Sequence, residues 1–383
     1  MNIKLGDLCI IQAGGTPSRS KQEYWNNGEI PWVKIGDIES KYINKTSEFI
    51  TVEGLKNSSA KKIERGSILY TIFATLGEVC ITNIDVTTNQ AIAGITLKDD
   101  KVYIDYLYYF LKSLKNHVNS IGRGVAQNNI NLTLLRGFEV PIPDKSRQLI
   151  IAQSLSNIEK ILNNKKQQLK EYDQLIKSRF VEVFGDIFNG KSNYSTIKIS
   201  EAVVPKIERA KKDFNADDEI KYLDISSVDN RKNIIIGYTD YLMKDAPSRA
   251  QQHVRKDDIV ISTVRPNLNN VAKVTHDYSN IVASSGFCVL RASKVEPNFL
   301  FALVSMQSFA DYLASLTTGA NYPAVSDKDI LNFEIPNAPF EEQTKFSDFI
   351  KQVDKLKFGD SRYHYSLFTF NLFSLYFNLG VIL

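Results

Sequence analysis

The chain has 383 residues, of which 43% are hydrophobic and 23% are charged, and this composition excludes a disordered polymer. A net charge of +4, from 47 Lys and Arg against 43 Asp and Glu, is too small to identify a nucleic-acid-binding protein by charge alone. At about 150 residues per domain, the length predicts two domains.

The number and spacing of the cysteines and histidines argue against a disulfide framework and against a metal site. The three cysteines, Cys9, Cys80 and Cys288, are odd in number and far apart, which disfavours a disulfide framework and favours a reducing compartment. No two of the 4 histidines are three or four residues apart, so a helical pair of metal ligands is absent. Residues 1–7 lack the apolar core of a signal peptide. We therefore expect a cytoplasmic protein without a metal site.

Residues 1–146 have the succession of short elements that is typical of a mixed α/β domain. β-rich runs at 67–72 and 92–97 are separated by turn residues. A helical stretch is predicted over 104–119, and a Pro-containing strand or turn over 138–143 closes the domain.

A long helix is predicted next, over 147–186. Apolar residues recur in steps of four and three once Lys165 and Arg179 are included, which indicates a seam of about five heptads. The apolar residues of the seam and of its end are Ile151, Leu155, Ile158, Leu162, Leu169, Tyr172, Ile176, Phe180 and Phe184. Such a helix would be roughly 55 Å long and needs a partner, because one helix cannot bury the stripe alone. The alternative is a surface helix that packs on its own domain.

The junction over 187–196 is predicted to be a linker, although it overlaps a nucleotide-binding pattern. Residues 185–192 match the letters G-x-x-x-x-G-K-S of a P-loop. That chemistry requires a strand before the loop and a helix after it, so that the helix N-terminus faces the phosphate. Here a long helix precedes the loop and a predicted strand over 194–199 follows it. A P-loop NTPase is therefore the disfavoured alternative.

A second α/β domain over 197–340 repeats the first. The run at 254–260 matches 63–69 with a shift of 191, and three anchors share a shift of 195. These anchors are Gly124 with Gly319, Phe138 with Phe333, and Gln148 with Gln343. Ordered matches over about 150 residues predict a duplicated domain, with loop-length differences explaining the drift in shift.

A second, shorter helix is predicted over 341–358. Its residues Phe346, Ile350 and Val353 are the counterparts of the first seam residues, so it is the expected partner of the long helix. Residues 359–383 form an anomalous apolar tail, which Asn, Ser, Thr and Gly interrupt too often for a confident membrane span.

Several motifs, in this order, resemble one known family. They are Gly14-Gly15-Thr16-Pro17-Ser18, Tyr24-Trp25, Gly28-Glu29-Ile30-Pro31-Trp32, Gly36-Asp37-Ile38, Thr88-Asn89-Gln90, Val140-Pro141-Ile142-Pro143 and the segment Lys177 to Asp186. Within a duplicated chain, this set resembles the specificity (S) subunit of type I restriction-modification systems, and the resemblance covers residues 1 to about 357.

The resemblance implies two target-recognition domains, separated by long helices that form an antiparallel coiled coil. It implies a non-catalytic DNA-binding subunit of a bacterial or archaeal cytoplasm, which recognises a bipartite double-stranded site. The expected partners are a type I methyltransferase subunit and a type I restriction (motor and nuclease) subunit, with no membrane. No cofactor is expected on this chain, whereas S-adenosylmethionine, ATP and Mg are expected on the partners. The short second helix leaves open a truncated or phase-variant subunit with impaired assembly.

Candidate DNA-binding residues lie in polar, glycine-containing loops. Asn and Gln can bind adenine edges and Arg and Lys can bind guanine edges or phosphates. In the first domain the candidates are Thr16, Ser18, Arg19, Lys21, Asn89, Gln90, Arg123, Gln127 and Asn128. In the second they are Arg265, Asn267, Ser284, Ser285, Thr318, Asn321 and Tyr322. The helix residues named above are the candidates for the coiled coil and for partner binding.

Rival functions lack their sequence features. An adenine methyltransferase needs an Asp/Asn-Pro-Pro-aromatic motif, and the chain has no Pro-Pro pair. No carboxylate cluster typical of a nuclease is recognisable. A coiled-coil scaffold without DNA affinity would leave the polar loops of two α/β domains unexplained.

Overall fold

The structure is a computed structural model that describes residues 1–122, 129–317 and 323–359. The described chain divides into two compact units, residues 1–165 and 166–359. One helix, α6, contributes residues to both units.

The first unit is mixed α/β. Its strands are β1 (Asn2–Lys4), β2 (Cys9–Ala13), β3 (Ile30–Val33), β4 (Tyr42–Ile43), β5 (Glu48–Ile50), β6 (Ile68–Thr71), β7 (Val79–Thr82), β8 (Thr87–Thr88), β9 (Ile92–Leu97) and β10 (Glu139–Pro141). Its helices are α1 (Leu5–Leu8), α2 (Val52–Lys56), α3 (Ile104–Ser113), α4 (Lys115–Gly122), α5 (Leu132–Arg136) and the start of α6 (Lys145–Phe184), with 3-10 turns at Gln22–Tyr24 and Ile35–Asp37.

The second unit has the same classes of element. After a 3-10 turn at Ile187–Asn189, its strands are β11 (Thr196–Lys198), β12 (Glu219–Leu223), β13 (Val228–Asp229), β14 (Ile234–Ile235), β15 (Thr239–Leu242), β16 (Ala250–Val254), β17 (Ile259–Ser262), β18 (Val271–Lys273), β19 (Ile281–Ser284), β20 (Phe287–Leu290) and β21 (Glu334–Pro336). Its helices are α7 (Ile199–Ala202), α8 (Ala210–Asp213), α9 (Pro297–Val304), α10 (Gln307–Ser315), α11 (Asp327–Leu331) and α12 (Phe340–Gly359), with further 3-10 turns at Ile225–Ser227, Met243–Asp245 and Pro266–Leu268.

Strand pairing shows that the two units share one frame. The sheet order in the first unit is β2-β9-β6-β7-β4. The second unit has a three-stranded sheet, β18-β17-β20, whose strands correspond in chain order to β7-β6-β9. Each unit also has a second sheet, β5-β3-β8 in the first and β15-β12-β19-β16 in the second. In each, one strand, β3 or β12, pairs antiparallel with one neighbour and parallel with the other. The N-terminal strand pairs antiparallel with the last one in both units, with Lys4 opposite Glu139 and Lys198 opposite Glu334. The predicted mixed α/β repeat is therefore confirmed.

Each predicted mid-domain helix is in fact a pair of helices. The stretch predicted over 104–119 breaks at Leu114 into α3 and α4, and its repeat in the second unit is likewise divided near Met306 into α9 and α10. The first member of each pair is almost wholly buried, because apolar side chains occur on all of its faces.

The recurring glutamine anchors have a structural reason. Gln148, 1% exposed, accepts a hydrogen bond from the backbone N–H of Tyr103 at 2.8 Å and donates to the backbone oxygens of Lys101 and Pro143. Gln343, 2% exposed, accepts from the N–H of Glu296 at 2.9 Å and donates to the oxygen of Ala338 at 2.8 Å.

In both units a buried amide thus pairs with a backbone N–H of an earlier loop and with the backbone oxygen five residues before the glutamine, and it fixes the start of the following helix. This accounts for the recurrence of a glutamine at the start of both helices.

The predicted long helix exists, and its ends are better buried than its middle. It begins at Lys145, two residues before the predicted start, and ends at Phe184. Ile151 and Leu155 belong to the core of the first unit, and Phe180 and Phe184 belong to the core of the second. The seam residues between them are partly exposed; these are Ile158, Leu162, Leu169, Tyr172 and Ile176.

The heptad assignment was wrong at one position. It placed Arg179 in the seam, but Arg179 is exposed and pairs with Glu182, whereas Phe180 is buried. A straight helix has 3.6 residues per turn, so a strict seven-residue pattern drifts around the helix over several turns.

Helix α12 packs antiparallel against the second half of α6. The ring of Phe346 lies 5.6 Å from that of Phe180 and 5.3 Å from that of Phe184, and Lys357 pairs with Asp173 at 2.8 Å. The start of α12 thus contacts the end of α6, and the end of α12 contacts an earlier part of α6, so the two helices run in opposite directions. Ile350 packs partly against the same core, and Val353 is 3% exposed.

All three cysteines are buried and free. Burial raises the pKa of Cys9 to about 12 and that of Cys80 to about 12, and it also raises the pKa of Cys288.

Candidate nucleic-acid interface

Three loops of the first unit meet at one end of the strands β6 and β9. The loop over 72–78 follows β6, the turn over 89–91 precedes β9, and Asn129 begins the described chain after α4. The N–H of Ile72 donates to the oxygen of Ala91 at 2.8 Å, and Phe73 forms an antiparallel bridge with Asn129. We call this end of the first unit loop face 1.

The glycine-rich motif near the N-terminus brings two predicted groups of residues together at loop face 1. The N–H of Gly15 donates to the oxygen of Thr88 at 2.8 Å, and the hydroxyl of Thr16 donates to Oε1 of Gln90 at 2.5 Å. A Cβ on Gly14 would lie 2.3 Å from the backbone oxygen of Thr88, so the approach requires glycine.

The turn at 89–91 leaves one of its predicted residues accessible. Oδ1 of Asn89 accepts from the N–H of Ala91 at 3.1 Å, so Asn89 shapes the turn. Gln90 is exposed, and its Oε1 accepts the hydrogen bond from the Thr16 hydroxyl.

Arg19 is held by an aromatic cluster. Its guanidinium carbon lies 3.6 Å from the ring centroid of Trp25 and 4.9 Å from that of Trp32, and its Nη1 is 2.6 Å from Glu48. Hydrogen bonds from Arg19, and then from Lys34, lower the pKa of Glu48. Arg19 therefore stabilises the fold of its loop while its side chain remains 54% exposed.

The other two candidates near Arg19 are exposed. Ser18 exchanges a hydrogen bond with Ser20, with their hydroxyl oxygens 2.8 Å apart. Lys21 donates to the hydroxyl of Tyr24 at 2.9 Å. Both side chains are accessible to a ligand.

The second unit builds an equivalent face, which we call loop face 2. The N–H of Thr263 donates to the oxygen of Gly286 at 3.0 Å, and Val264 forms an antiparallel bridge with Ala324. The loops over 263–270 and 284–286 thus meet the chain at 323–324, as the corresponding loops do in the first unit.

Loop face 2 presents some of its predicted residues and buries one. Arg265, Asn267 and Ser285 are exposed, and the N–H of Arg265 donates to the oxygen of Pro323 at 2.8 Å. Ser284 is 3% exposed, and its hydroxyl accepts from the N–H of Gly286 at 3.2 Å. The prediction that Ser284 contacts DNA fails, because a residue that ends a strand and turns its hydroxyl into the following turn cannot reach a base.

Six predicted residues lie outside the described residues: Arg123, Gln127, Asn128, Thr318, Asn321 and Tyr322. The described residues that border those two segments, Asn129 and Pro323, belong to loop faces 1 and 2.

One part of loop face 1 was missed by the sequence analysis. Phe73, Ala74 and Thr75 are exposed at the tip of the loop after β6, and Phe73 is 42% exposed. The shift of 191 pairs Ala74 with Arg265, and both have left-handed backbones, with φ of 62° and 51°. Applying the repeat to the candidates of the second domain would have identified this loop.

The helix candidates divide by burial. Phe180 and Phe184 are 1% and 0% exposed; Phe180 stacks on Phe299 of α9 and Phe184 meets the same ring edge-on, so they complete a core and offer no surface. Exposed apolar side chains of α6 lie elsewhere, with Ile161 at 64% and Leu175 at 46%.

The residues that match the P-loop pattern, 185–192, follow directly on the C-terminal end of α6. Gly185 has φ of 91° and its N–H donates to the oxygen of Val181, so it terminates α6. A 3-10 turn and β11 follow, and the N–H of Lys191 donates to the oxygen of Asp186 at 2.9 Å. A nucleotide-binding loop needs a strand before it and a helix after it, and this order of elements is the reverse.

The part of the chain that the structure describes contains no group of three His, Cys, Asp or Glu side chains placed to bind a metal ion. No helix within 1–122, 129–317 or 323–359 combines the length and apolar composition needed to cross a membrane.

The duplicated frame and its two loop faces agree with a family comparison. A model of the type I restriction modification DNA specificity domain matches residues 1–171 and 194–359, which include both units. The chain belongs to this family. The resemblance predicted from the motifs is confirmed, and the two matched segments correspond to the two copies of the sequence repeat.

Individual relatives carry the same family name. The chain is similar to the MjaIX type I restriction enzyme specificity subunit of Methanocaldococcus jannaschii, with 32% identity over 190 residues, which are 48% of this chain and 43% of that protein. It is also similar to the MjaVIII specificity subunit of the same organism, with 23% identity over 378 residues, 92% of this chain and 86% of that protein. The matched region thus spans less than half of the first relative's length.

A solved structure of this family has the same fold. The type I restriction-modification S subunit from M. genitalium matches with a TM-score of 0.52 and 15% identity, over 97% of this chain and 93% of that one. Two specificity domains with a long helix between them in sequence are therefore the fold of this chain.

Proposed function

We propose that this chain is the DNA-sequence-specificity subunit of a type I restriction-modification complex. In this role the two loop faces each bind one half of a bipartite double-stranded site. The observation that carries the proposal is the repetition of one three-loop arrangement with different side chains. A shared backbone frame keeps the two faces alike, whereas the exposed residues, Gln90 and Phe73 on one and Arg265 and Asn267 on the other, differ.

The exposed side chains suit base recognition in the major groove. Gln90 and Asn267 carry the amide groups that pair with adenine edges, and Arg265 carries the guanidinium that pairs with guanine. Phe73 offers an apolar surface for a thymine methyl group. The backbones of these loops are fixed by main-chain hydrogen bonds to neighbouring loops, which reduces the entropy lost on binding.

Catalysis is assigned to the partners. In this proposal a methyltransferase subunit supplies S-adenosylmethionine chemistry and a restriction subunit supplies ATP- and Mg-dependent chemistry, while this chain holds none of these cofactors. The partly exposed stripe of α6 and its exposed residues Ile161 and Leu175 are the surfaces we assign to subunit assembly.

The proposal is tested by finding the site and then altering one face at a time. Methylome sequencing of a host that expresses the chain with its methyltransferase subunit should give one bipartite motif. Gln90→Ala should weaken binding of the complex to a duplex with that motif by about tenfold to a hundredfold, through one half-site only. Asn267→Ala should act on the other half-site.

The matched control is Asn44→Ala. Asn44 is exposed and its side chain accepts a hydrogen bond from Asn83, which follows β7 at the end opposite to loop face 1. This variant should bind as the unaltered complex does. Equal binding of the unaltered complex to duplexes with and without the motif at moderate salt would refute the specificity function.

A further inference from the structure

The second unit carries a short hairpin, residues 228–235, that is made of β13, a turn and β14. Oδ1 of Asp229 accepts from the backbone N–H groups of Arg231 and Lys232 at 3.0 and 3.2 Å. Asn233 then takes a left-handed conformation with φ of 53°. These contacts fix the turn and place Arg231 and Lys232 at its exposed tip.

The hairpin is attached to loop face 2. Nδ2 of Asn230 donates to the oxygen of Leu268 at 2.7 Å, and Nδ2 of Asn233 donates to the oxygens of Asn269 and Val271 at 3.1 Å each. The two asparagine amides are therefore engaged with the loop backbone. The side chains that the hairpin adds to the face are those of Arg231 and Lys232.

The charges of Arg231 and Lys232 are not neutralised within the protein. Across the described residues, neither side chain forms an ion pair or a hydrogen bond. Other lysines of the same unit are paired, since Lys221 lies 2.9 Å from Asp240 and Lys244 lies 2.6 Å from Asp217. Two adjacent unpaired cations on a fixed turn are suited to an external anion.

The first unit attaches the corresponding segment elsewhere. Both segments follow a 3-10 turn, at Ile35–Asp37 and at Ile225–Ser227. In the first unit β4 pairs parallel with the far end of β7, where Ile43 is opposite Thr82, and Lys41 is paired with Asp105 at 2.6 Å. This segment therefore does not extend loop face 1.

Exposed apolar groups accompany the cations. Ile234 is 46% exposed and Leu268 is 42% exposed, next to the turn and in the loop that it contacts. The DNA backbone at a groove edge alternates phosphates with sugars, so cations can contact the phosphates while neighbouring apolar side chains lie against the sugars. Continuity with loop face 2 favours DNA over a protein as the occupant.

Building on the proposed function, we propose that Arg231 and Lys232 form a phosphate clamp for the half-site read by loop face 2. Loop face 1 has no such clamp on its corresponding segment. The clamp adds affinity that does not depend on base sequence, so the two half-sites differ in their share of phosphate contacts.

The test compares salt dependence in the complex of the full chain with its methyltransferase subunit. The probes are a 40-base-pair duplex that carries the methylated motif and a scrambled duplex of the same composition. For Arg231→Ala/Lys232→Ala, the slope of log affinity against log salt should become less steep by about 1.8, which is about 0.9 for each lost phosphate contact. Affinity should fall by a similar factor for both duplexes, and the ratio between them should stay within about twofold.

A matched control removes two other exposed charges. Lys256 precedes β17 and Lys294 follows β20, so both lie at the strand ends opposite to loop face 2. Lys256→Ala/Lys294→Ala changes net charge equally and should leave the slope unchanged.

An unchanged salt slope for Arg231→Ala/Lys232→Ala would overturn the clamp proposal. A loss of affinity confined to the duplex with the motif would overturn it as well. A reduced methyltransferase content in the purified complex, with an unchanged slope, would instead identify the hairpin as a protein contact. Failure of the unaltered complex to distinguish the duplexes would refute the proposed function, whereas the comparison of slopes on the scrambled duplex would still test the clamp.

Discussion

Phe346→Ala should destabilise the second unit more than replacement of any exposed residue of α12 by alanine. The ring is 2% exposed, so its burial contributes about 1.5–3 kcal/mol. Its ring contacts with α6, to Phe180 at 5.6 Å and to Phe184 at 5.3 Å, each add about 0.5–1.5 kcal/mol. These contributions total about 2.5–6 kcal/mol, a range that includes the loss of about 3–5 kcal/mol in the free energy of unfolding expected for a buried Phe→Ala change.

Urea unfolding of the full chain, followed by circular dichroism, measures this loss. Phe340→Ala is the control, because Phe340 begins the same helix and is 59% exposed. Its effect should stay within about 0.5 kcal/mol. In a thermal scan the Phe346 variant should lower the Tm of the second unit by roughly 6–20 °C. Equal losses for the two variants, or none for Phe346→Ala, would show that the aromatic contact between α6 and α12 does not stabilise the fold.

Three further changes test other contacts. Gln343→Leu should cost about 1–3 kcal/mol in unfolding experiments, because the buried oxygen of Ala338 loses its donor and the N–H of Glu296 loses its acceptor. Glu48→Gln should reduce the loss of stability between about pH 5 and pH 3, measured by urea unfolding at each pH. The pKa of Glu48 is lowered by Arg19 in the folded chain, so its stabilising contribution is complete above the unfolded-state pKa and is lost as the pH falls through the folded-state pKa. Gly14→Ala should cost about 1–3 kcal/mol and weaken DNA binding by the complex, because its Cβ would collide with a backbone oxygen of loop face 1.

Each of these changes has a control in the chain. Gln352 is an exposed glutamine of α12, so Gln352→Leu should leave stability within about 0.5 kcal/mol. Glu39→Gln removes an exposed carboxylate and should leave the pH profile as it was. Gly36 has open space around its Cβ position, so Gly36→Ala should be tolerated. A control that behaves like its test variant would refute the corresponding contact.

The sequence predicts features that repeat and that depend on local spacing. Gln148 and Gln343 recur because each donates to the backbone oxygen five residues before it, so equal spacing in the sequence reflects equal local geometry. The long helix is predicted because its apolar residues recur over many turns. The glycine motif near the N-terminus is informative for a similar reason: at Gly14 and Gly15 the loops approach each other more closely than a Cβ permits.

Features that depend on long-range pairing were not predictable from spacing. Ser284 and Ser285 are neighbours of the same type, yet only strand pairing and the following turn decide that Ser284 is buried. Arg19 was expected to contact DNA, but the fold brings Trp32 and Glu48 to it from other strands. The exposed loop at Phe73 was overlooked because its composition is apolar, and only its place in the repeat identifies it.

The burial of all three cysteines has a practical consequence for spectroscopy. Alkylation by maleimides requires an accessible thiolate, and the raised pKa of each native thiol leaves almost none at neutral pH. A cysteine introduced at exposed Asn44 or Lys256, both away from the loop faces, would react far faster, without removal of the native ones. One fluorophore at each position would then measure, by energy transfer, the distance between the two positions with and without DNA and partner subunits.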